Sequence, residues 1–175
     1  MNLSKTVALV GMMGAGKTSL GRRLAARLEV PFRDADHEIE AAASLTVSEI
    51  FEKFGEPYFR DGERRVIARL LSEAPHILAT GGGAYMDPAT RAVMKDKALT
   101  IWLKAPVEFL VSRVKKRDTR PLLRNGDLKD TIEKLLAIRE PVYAQADMTL
   151  DYEDGSHGDA MDRIMEALSA QGLVT

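Results

Sequence analysis

Residues 11–18 read Gly11-Met12-Met13-Gly14-Ala15-Gly16-Lys17-Thr18 and fill every fixed position of the phosphate-loop pattern G-x-x-x-x-G-K-[ST]. The apolar run Thr6-Val7-Ala8-Leu9-Val10 stands directly before them, and a helical pattern begins directly after. Glycines at 11, 14 and 16 let the backbone turn sharply and aim consecutive N–H groups inward, so that a chain of phosphates rests on a helix N-terminus. Gly14, Ala15, Gly16, Lys17, Thr18 and Ser19 are expected to form that cradle. Lys17 is expected to reach the β- and γ-phosphates of a nucleotide, and the Thr18 hydroxyl to ligate Mg²⁺. The alternative is a glycine-rich strand-to-helix turn with no ligand; it is the weaker reading, because all the fixed positions and both flanking elements are in place.

Outward from the loop, apolar periodicity alternates between short strands and longer helices along the whole chain, the signature of an α/β fold. A first helix begins at Lys17, with Leu20, Leu24 and Leu28 at four-residue spacing, and ends before Pro31. Phe32-Arg33-Asp34 reads as a short second strand. Thr46-Val47-Ser48-Glu49 has the form of a capping box and opens a helix whose apolar side is Ile50, Phe51 and Phe54. Ile67, Leu70 and Leu71 mark another helix, from about Glu56 to Glu73. His76 to Ala79 is a buried strand leading into Gly81-Gly82-Gly83, and Leu99 to Leu103 is a further strand, with Pro106 suited to the first turn of the next helix. A long helix covers roughly Leu128 to Tyr143, with a break or kink expected near Pro141. Met148-Thr149-Leu150 is a short last strand, and Met161, Ile164, Met165 and Leu168 stripe the closing helix.

The chain has 175 residues, 45% of them hydrophobic, which suits one domain over 1–175. Its 25 basic and 26 acidic side chains leave a net charge of −1, so no global field draws it to nucleic acid or to an anionic membrane. Cysteine is absent, which removes disulfides and thiolate metal sites. No run approaches the ~18 apolar residues of a membrane span, and a cytoplasmic protein, monomeric and without nucleic-acid or membrane partners, is expected. His37, His76 and His157 show no metal-ligand spacing and read as surface or strand-end residues.

Parallel strands joined by helical crossovers bring their C-terminal ends to one edge, where ligands bind, so the loops after the strands are the candidates for function. Asp34 and Asp36 end the second strand as the chain turns into a helix, and so can diverge to two tasks. One can organise Mg²⁺ through water while the other accepts a proton from a hydroxyl; the competing reading is a helix N-cap. Arg60 and Arg139 lie in apolar neighbourhoods, where guanidinium groups bind carboxylates bidentately. Each alone is more often a helix-surface ion pair, whereas a pair converging on one pocket would indicate an acidic substrate. Arg113, Lys115, Lys116, Arg117, Arg120 and Arg124 form a basic run opposed only by Asp118. Without an aromatic for base stacking, it fits a lid over nucleotide phosphates, about residues 112–126, better than a nucleic-acid patch.

Taken in order, GMMGAGKT, Asp-x-Asp, Phe59-Arg60-x-x-Glu63, Gly81-Gly82-Gly83, Arg120-Pro121-Leu122-Leu123 and Arg139-x-x-x-Tyr143 resemble the shikimate kinase family over residues 6 to about 152. The resemblance implies a P-loop NTPase fold of the nucleoside-monophosphate-kinase type: a five-stranded parallel sheet of order 2-3-1-4-5 with flanking helices. It implies MgATP as phosphoryl donor and the 3-hydroxyl of shikimate as acceptor, in aromatic amino-acid biosynthesis. By motif, Asp36 would hold the substrate hydroxyls and act as base, and Asp34 would help position the magnesium water shell. Arg60 and Arg139 would bind the carboxylate, and Gly82, between Gly81 and Gly83, would offer a backbone N–H to the substrate. Lys17 and Arg120 would face the phosphates, and Arg117 would lie against the adenine. The acceptor-binding region would span about 34–63. Two rivals stand beside this reading: another small-molecule kinase of the same fold, acting on gluconate or a nucleotide, and a non-catalytic ATP-binding regulator.

Overall fold

The strand that precedes the phosphate loop, β1 (Thr6–Val10), is buried at all five positions, because it is the middle strand of a sheet covered on both faces. In the computed structural model, which describes residues 1–116, 127–153 and 156–175, four further strands join it: β2 (Phe32–Asp34), β3 (Ile77–Ala79), β4 (Ala98–Lys104) and β5 (Met148–Asp151). All neighbours pair in parallel, in the order β2-β3-β1-β4-β5. Val7 lies opposite Ile77 on one side and Leu99 on the other, a register that stacks apolar residues across the centre of the sheet. The expected order is therefore the observed one.

Helix α1 (Lys17–Leu28) starts from Gly16, whose φ of 98° is left-handed, and buries Leu20, Leu24 and Leu28 as their spacing requires. Asp34 closes β2 and caps α2 (Ala35–Ala43), accepting from the N–H groups of Asp36 and His37. The Thr46–Glu49 capping box opens α3 (Val47–Phe54), and α4 (Glu56–Leu71) follows directly after Gly55. After β3, a one-turn 3₁₀ helix (Ala84–Met86) leads to α5 (Pro88–Lys97). Apolar periodicity does not mark α5, which buries only Thr90 and Met94; its signal is the N-cap Asp87 followed by Pro88. Pro106 stands just before α6 (Val107–Lys116), its carbonyl accepting from the Leu110 N–H at 3.1 Å.

Helix α7 (Leu128–Tyr143) does not break at Pro141. The proline gives up the one bond its N–H would make to the Ala137 carbonyl, but in the last turn few residues follow for it to turn aside, and the Ala144 N–H still reaches the Glu140 carbonyl at 2.9 Å. Helix α8 (His157–Ala170) closes the fold. One large core joins the sheet to the helices, and a small separate cluster of Ile39, Ile50 and Phe59, with Leu45, Val47 and Phe51 against it, holds α2, α3 and α4 together at one side. The histidines depart from the surface reading in one respect. His76 is 1% exposed, held at the start of β3 with Nδ1 against the Ala74 carbonyl, while His37 is exposed and His157 pairs with the Tyr152 hydroxyl.

Candidate active site

The C-terminal ends of the strands open onto one cleft of about 310 Å³. It is lined by Gly14, Gly16, Lys17 and Thr18 of the phosphate loop, by Asp34, Asp36, Arg60 and Arg139, and by the loop Gly81–Gly83. Of the described residues singled out from the sequence for this chemistry, Gly11, Ala15, Ser19, Arg113, Lys115 and Lys116 are not among its lining. Arg117, Arg120 and most of the expected lid lie outside the described residues. Residues 112–116, counted in that lid, form the end of α6, where Val114 is 7% exposed and packs 3.2 Å from the position a β-carbon on Gly14 would take.

Within the phosphate loop, Gly14 and Gly16 both have left-handed φ, of 81° and 98°. A side chain at Gly16 would also meet the Tyr152 ring, whose Cε1 lies 2.6 Å from a β-carbon built there. The Lys17 ammonium is 8% exposed and donates to the carbonyls of Gly11 at 2.6 Å and Met12 at 2.9 Å, which fixes its charge beneath the loop. Thr18 donates from its hydroxyl to Asp34 Oδ2 at 3.1 Å, while Asp34 Oδ1 caps α2. The capping reading of Asp34 is the one the structure shows, and its second oxygen stands beside the Thr18 hydroxyl. A hydroxyl and a carboxylate side by side at the loop are the hard oxygen donors that suit Mg²⁺, which takes few protein ligands and completes its shell with water and phosphate.

The three glycines of the Gly81–Gly83 loop lie against Asp36, Arg139 and Arg60 in turn. A β-carbon on Gly81 would come 2.9 Å from Asp36 Oδ1, one on Gly82 3.0 Å from Arg139 Nη1, and one on Gly83 2.8 Å from Arg60 Cζ. A chain without side chains is what allows the carboxylate and both guanidinium groups to crowd one small polar volume. Arg60 stands over the Phe59 ring, 5.2 Å from its centre, and donates to Glu63 Oε1 at 2.8 Å, one turn along α4.

Glu63 is a further site residue to which motif reading gave no role. Its side chain is 3% exposed, and its second oxygen, Oε2, is buried with no hydrogen-bond partner among the described residues, 3.4 Å from the β-carbon position of Gly81. Burial pushes its carboxyl above the usual range and the Arg60 guanidinium pulls it back, with Asp36 and Asp87 adding to the upward push. The i,i+3 spacing of arginine and glutamate on one helix was the signal available for that pair. Tyr143, one turn after Arg139, donates its hydroxyl to the Gly82 carbonyl, a contact between residues 61 apart that no local pattern announces.

The family model described as shikimate kinase matches residues 13–169. The shikimate kinase of Caulobacter vibrioides (strain NA1000 / CB15N) is 54% identical over 165 residues, covering 94% of this chain and 82% of that one. That of Bradyrhizobium diazoefficiens is 53% identical over 167 residues, covering 95% and 81%. Among solved structures, the shikimate kinase of Acinetobacter baumannii in complex with shikimate superposes with a TM-score of 0.91 at 38% identity, covering 97% of this chain and 95% of that one. With the phosphate loop, the paired arginines and the triglycine loop gathered at one cleft, the chain belongs to the shikimate kinase family.

Proposed function

We infer that the protein transfers the γ-phosphoryl group of ATP to the 3-hydroxyl of shikimate, giving shikimate 3-phosphate and ADP. The observation that carries the reading is the convergence of Arg60 and Arg139 on the Gly82–Gly83 segment, in the same cleft as the phosphate loop. Two guanidinium groups in one small polar pocket call for an anionic acceptor, and a carboxylate matches their planar donors. Asp36, in the same wall, takes the proton of the acceptor hydroxyl as its oxygen bonds to the γ-phosphorus. The bond from that phosphorus to the bridging oxygen breaks, and the electron pair leaves with ADP.

Phosphoryl transfer asks for positioning and charge neutralisation rather than covalent catalysis. Lys17 supplies a fixed positive charge under the phosphates, and Arg120 adds a second. Mg²⁺ bound with ATP would neutralise charge on the β- and γ-phosphates, and Thr18 would hold it directly with Asp34 acting through its water shell. Among the described residues no helix is long and apolar enough to cross a membrane, in keeping with the proposed cytoplasmic reaction.

Arg60→Lys tests the reading, because an ammonium keeps the charge and loses the bidentate geometry. The expected outcome is a KM for shikimate raised by roughly 1.5–3 kcal/mol of lost charge-assisted bonding, with the KM for ATP nearly unchanged. Equal changes in both constants would remove Arg60 from the acceptor site.

A further inference from the structure

Tyr143 stands outside the roles assigned so far, and resting on the acceptor site proposed above, we propose that it is the positioning residue that sets the triglycine loop against Arg139. Four observations converge on it. The side chain is fully buried, and its hydroxyl donates to the carbonyl of Gly82 while the Arg139 guanidinium also stands close enough to interact with it. Arg139 and Tyr143 are four residues apart on α7 and so project from the same face, and both reach Gly82: Tyr143 through the carbonyl, Arg139 with Nη1 3.0 Å from the β-carbon position. The Tyr143 ring packs on Trp102 of β4, with centres 5.7 Å apart, and Trp102 Cδ1 in turn lies 3.4 Å from the β-carbon position of Gly11. Tyr143 itself does not line the cleft, so its effect on a ligand must pass through the groups it holds.

The physical consequence follows from peptide planarity. The Gly82 carbonyl and the Gly83 N–H belong to one planar trans unit and point in opposite directions. Anchoring the carbonyl on the phenol therefore fixes the plane and directs the Gly83 N–H away from Tyr143. Glycines have more freedom than any other residue to rotate this unit, so three in succession need an external anchor if they are to present one geometry to a ligand. Tyr143 supplies that anchor from the same helical turn that supplies Arg139, so the guanidinium and the loop are registered to each other by one rigid element. Arg139 also donates towards Met12 Sδ at 3.7 Å, a weak contact that leaves the register to the helix and the loop.

Tyr143→Phe keeps the ring and its packing on Trp102 and removes only the hydroxyl. The expected outcome is a KM for shikimate raised about fivefold to tenfold, the usual worth of one neutral hydrogen bond, with kcat and the KM for ATP within a factor of about two. The same substitution should have little effect on a shikimate analogue whose carboxylate is replaced by a neutral amide, since the register to Arg139 then no longer matters. A general loss of packing would raise both substrates' constants and lower the melting temperature.

An unchanged KM for shikimate in a stably folded Tyr143→Phe protein overturns the proposal while leaving the kinase reading intact, because the parent still phosphorylates shikimate. Failure of the parent to do so overturns the underlying reading instead. Should the variant not fold, the parent alone decides. With glycine labelled at both carbonyl carbon and nitrogen, the only Gly–Gly peptide units in the chain are Gly81–Gly82 and Gly82–Gly83, so a carbonyl–amide correlation spectrum shows those two signals alone. The Gly82–Gly83 signal is expected to shift on saturation with shikimate, and its immobility would contradict a loop registered to the acceptor.

Discussion

Arg60, Arg139 and Asp36 divide the acceptor wall among themselves because each is matched to one glycine of the Gly81–Gly83 loop. That pairing makes the glycines testable. Gly83 has φ −94° and ψ −7°, a conformation alanine adopts freely, so Gly83→Ala adds a methyl group without backbone strain. The β-carbon would overlap the Arg60 guanidinium, the movable end of a long side chain, which must swing aside. Gly83→Ala is therefore expected to keep the melting temperature within a few degrees while raising the KM for shikimate about 10- to 100-fold, the value of a charge-assisted hydrogen bond; an unchanged KM would show that Arg60 does not need its present place. Asp36→Asn keeps the shape of the side chain but cannot accept the hydroxyl proton. Its kcat at saturating substrates should fall about 10²- to 10⁴-fold, and a variant that matches the parent would leave Asp36 a binding group only.

At the scale of elements, the site depends on how α4, α5 and the triglycine loop are tied. Asp87 caps α5 through the Thr90 N–H at 3.0 Å and receives Arg64 of α4 at 2.9 Å, which holds the two helices on either side of the loop's exit. The Arg64 guanidinium chiefly holds the Asp87 carboxyl down at about 2; burial, the next largest influence, pushes it up, and the Thr90 hydroxyl and N–H add smaller downward pulls. A carboxylate held lower in the folded than in the unfolded chain stabilises above its unfolded value near 3.8, and that contribution is lost as pH falls from there towards 2. Asp87→Asn preserves a good cap and removes the titration, so its melting temperature should decline less steeply than the parent's between pH 4 and pH 2. Parallel decline in the two proteins would place the acid sensitivity elsewhere.

The same scale separates what sequence could and could not reveal. The β1–loop–α1 unit was legible throughout because every determinant is local: an apolar run, three glycines and a four-residue leucine repeat. The capping box of α3 and the bounds of α4 were equally local. Helix α5 escaped periodicity because it buries too little, and Pro141 suggested a break that its place in the last turn made unnecessary. Tyr143 on Gly82 and Tyr152 against Gly16 could not be foreseen, since each joins distant parts of the chain that meet only once the sheet is assembled.

For the whole molecule, the parallel order β2-β3-β1-β4-β5 places the phosphate loop, Asp36, the two arginines and the Gly81–Gly83 loop at one edge, in a single cleft. The central claim is that this cleft phosphorylates a small hydroxylated carboxylic acid, and the most direct test is the initial rate of ADP release with shikimate, quinate, gluconate or AMP as acceptor. A site whose buried polar groups pair with a carboxylate and hydroxyls is left with unmatched groups when the acceptor differs, and so discriminates by more than fit alone. ADP release should depend on an acceptor and be fastest with shikimate. Faster release with gluconate or AMP, or release at the same rate with no acceptor present, would contradict it.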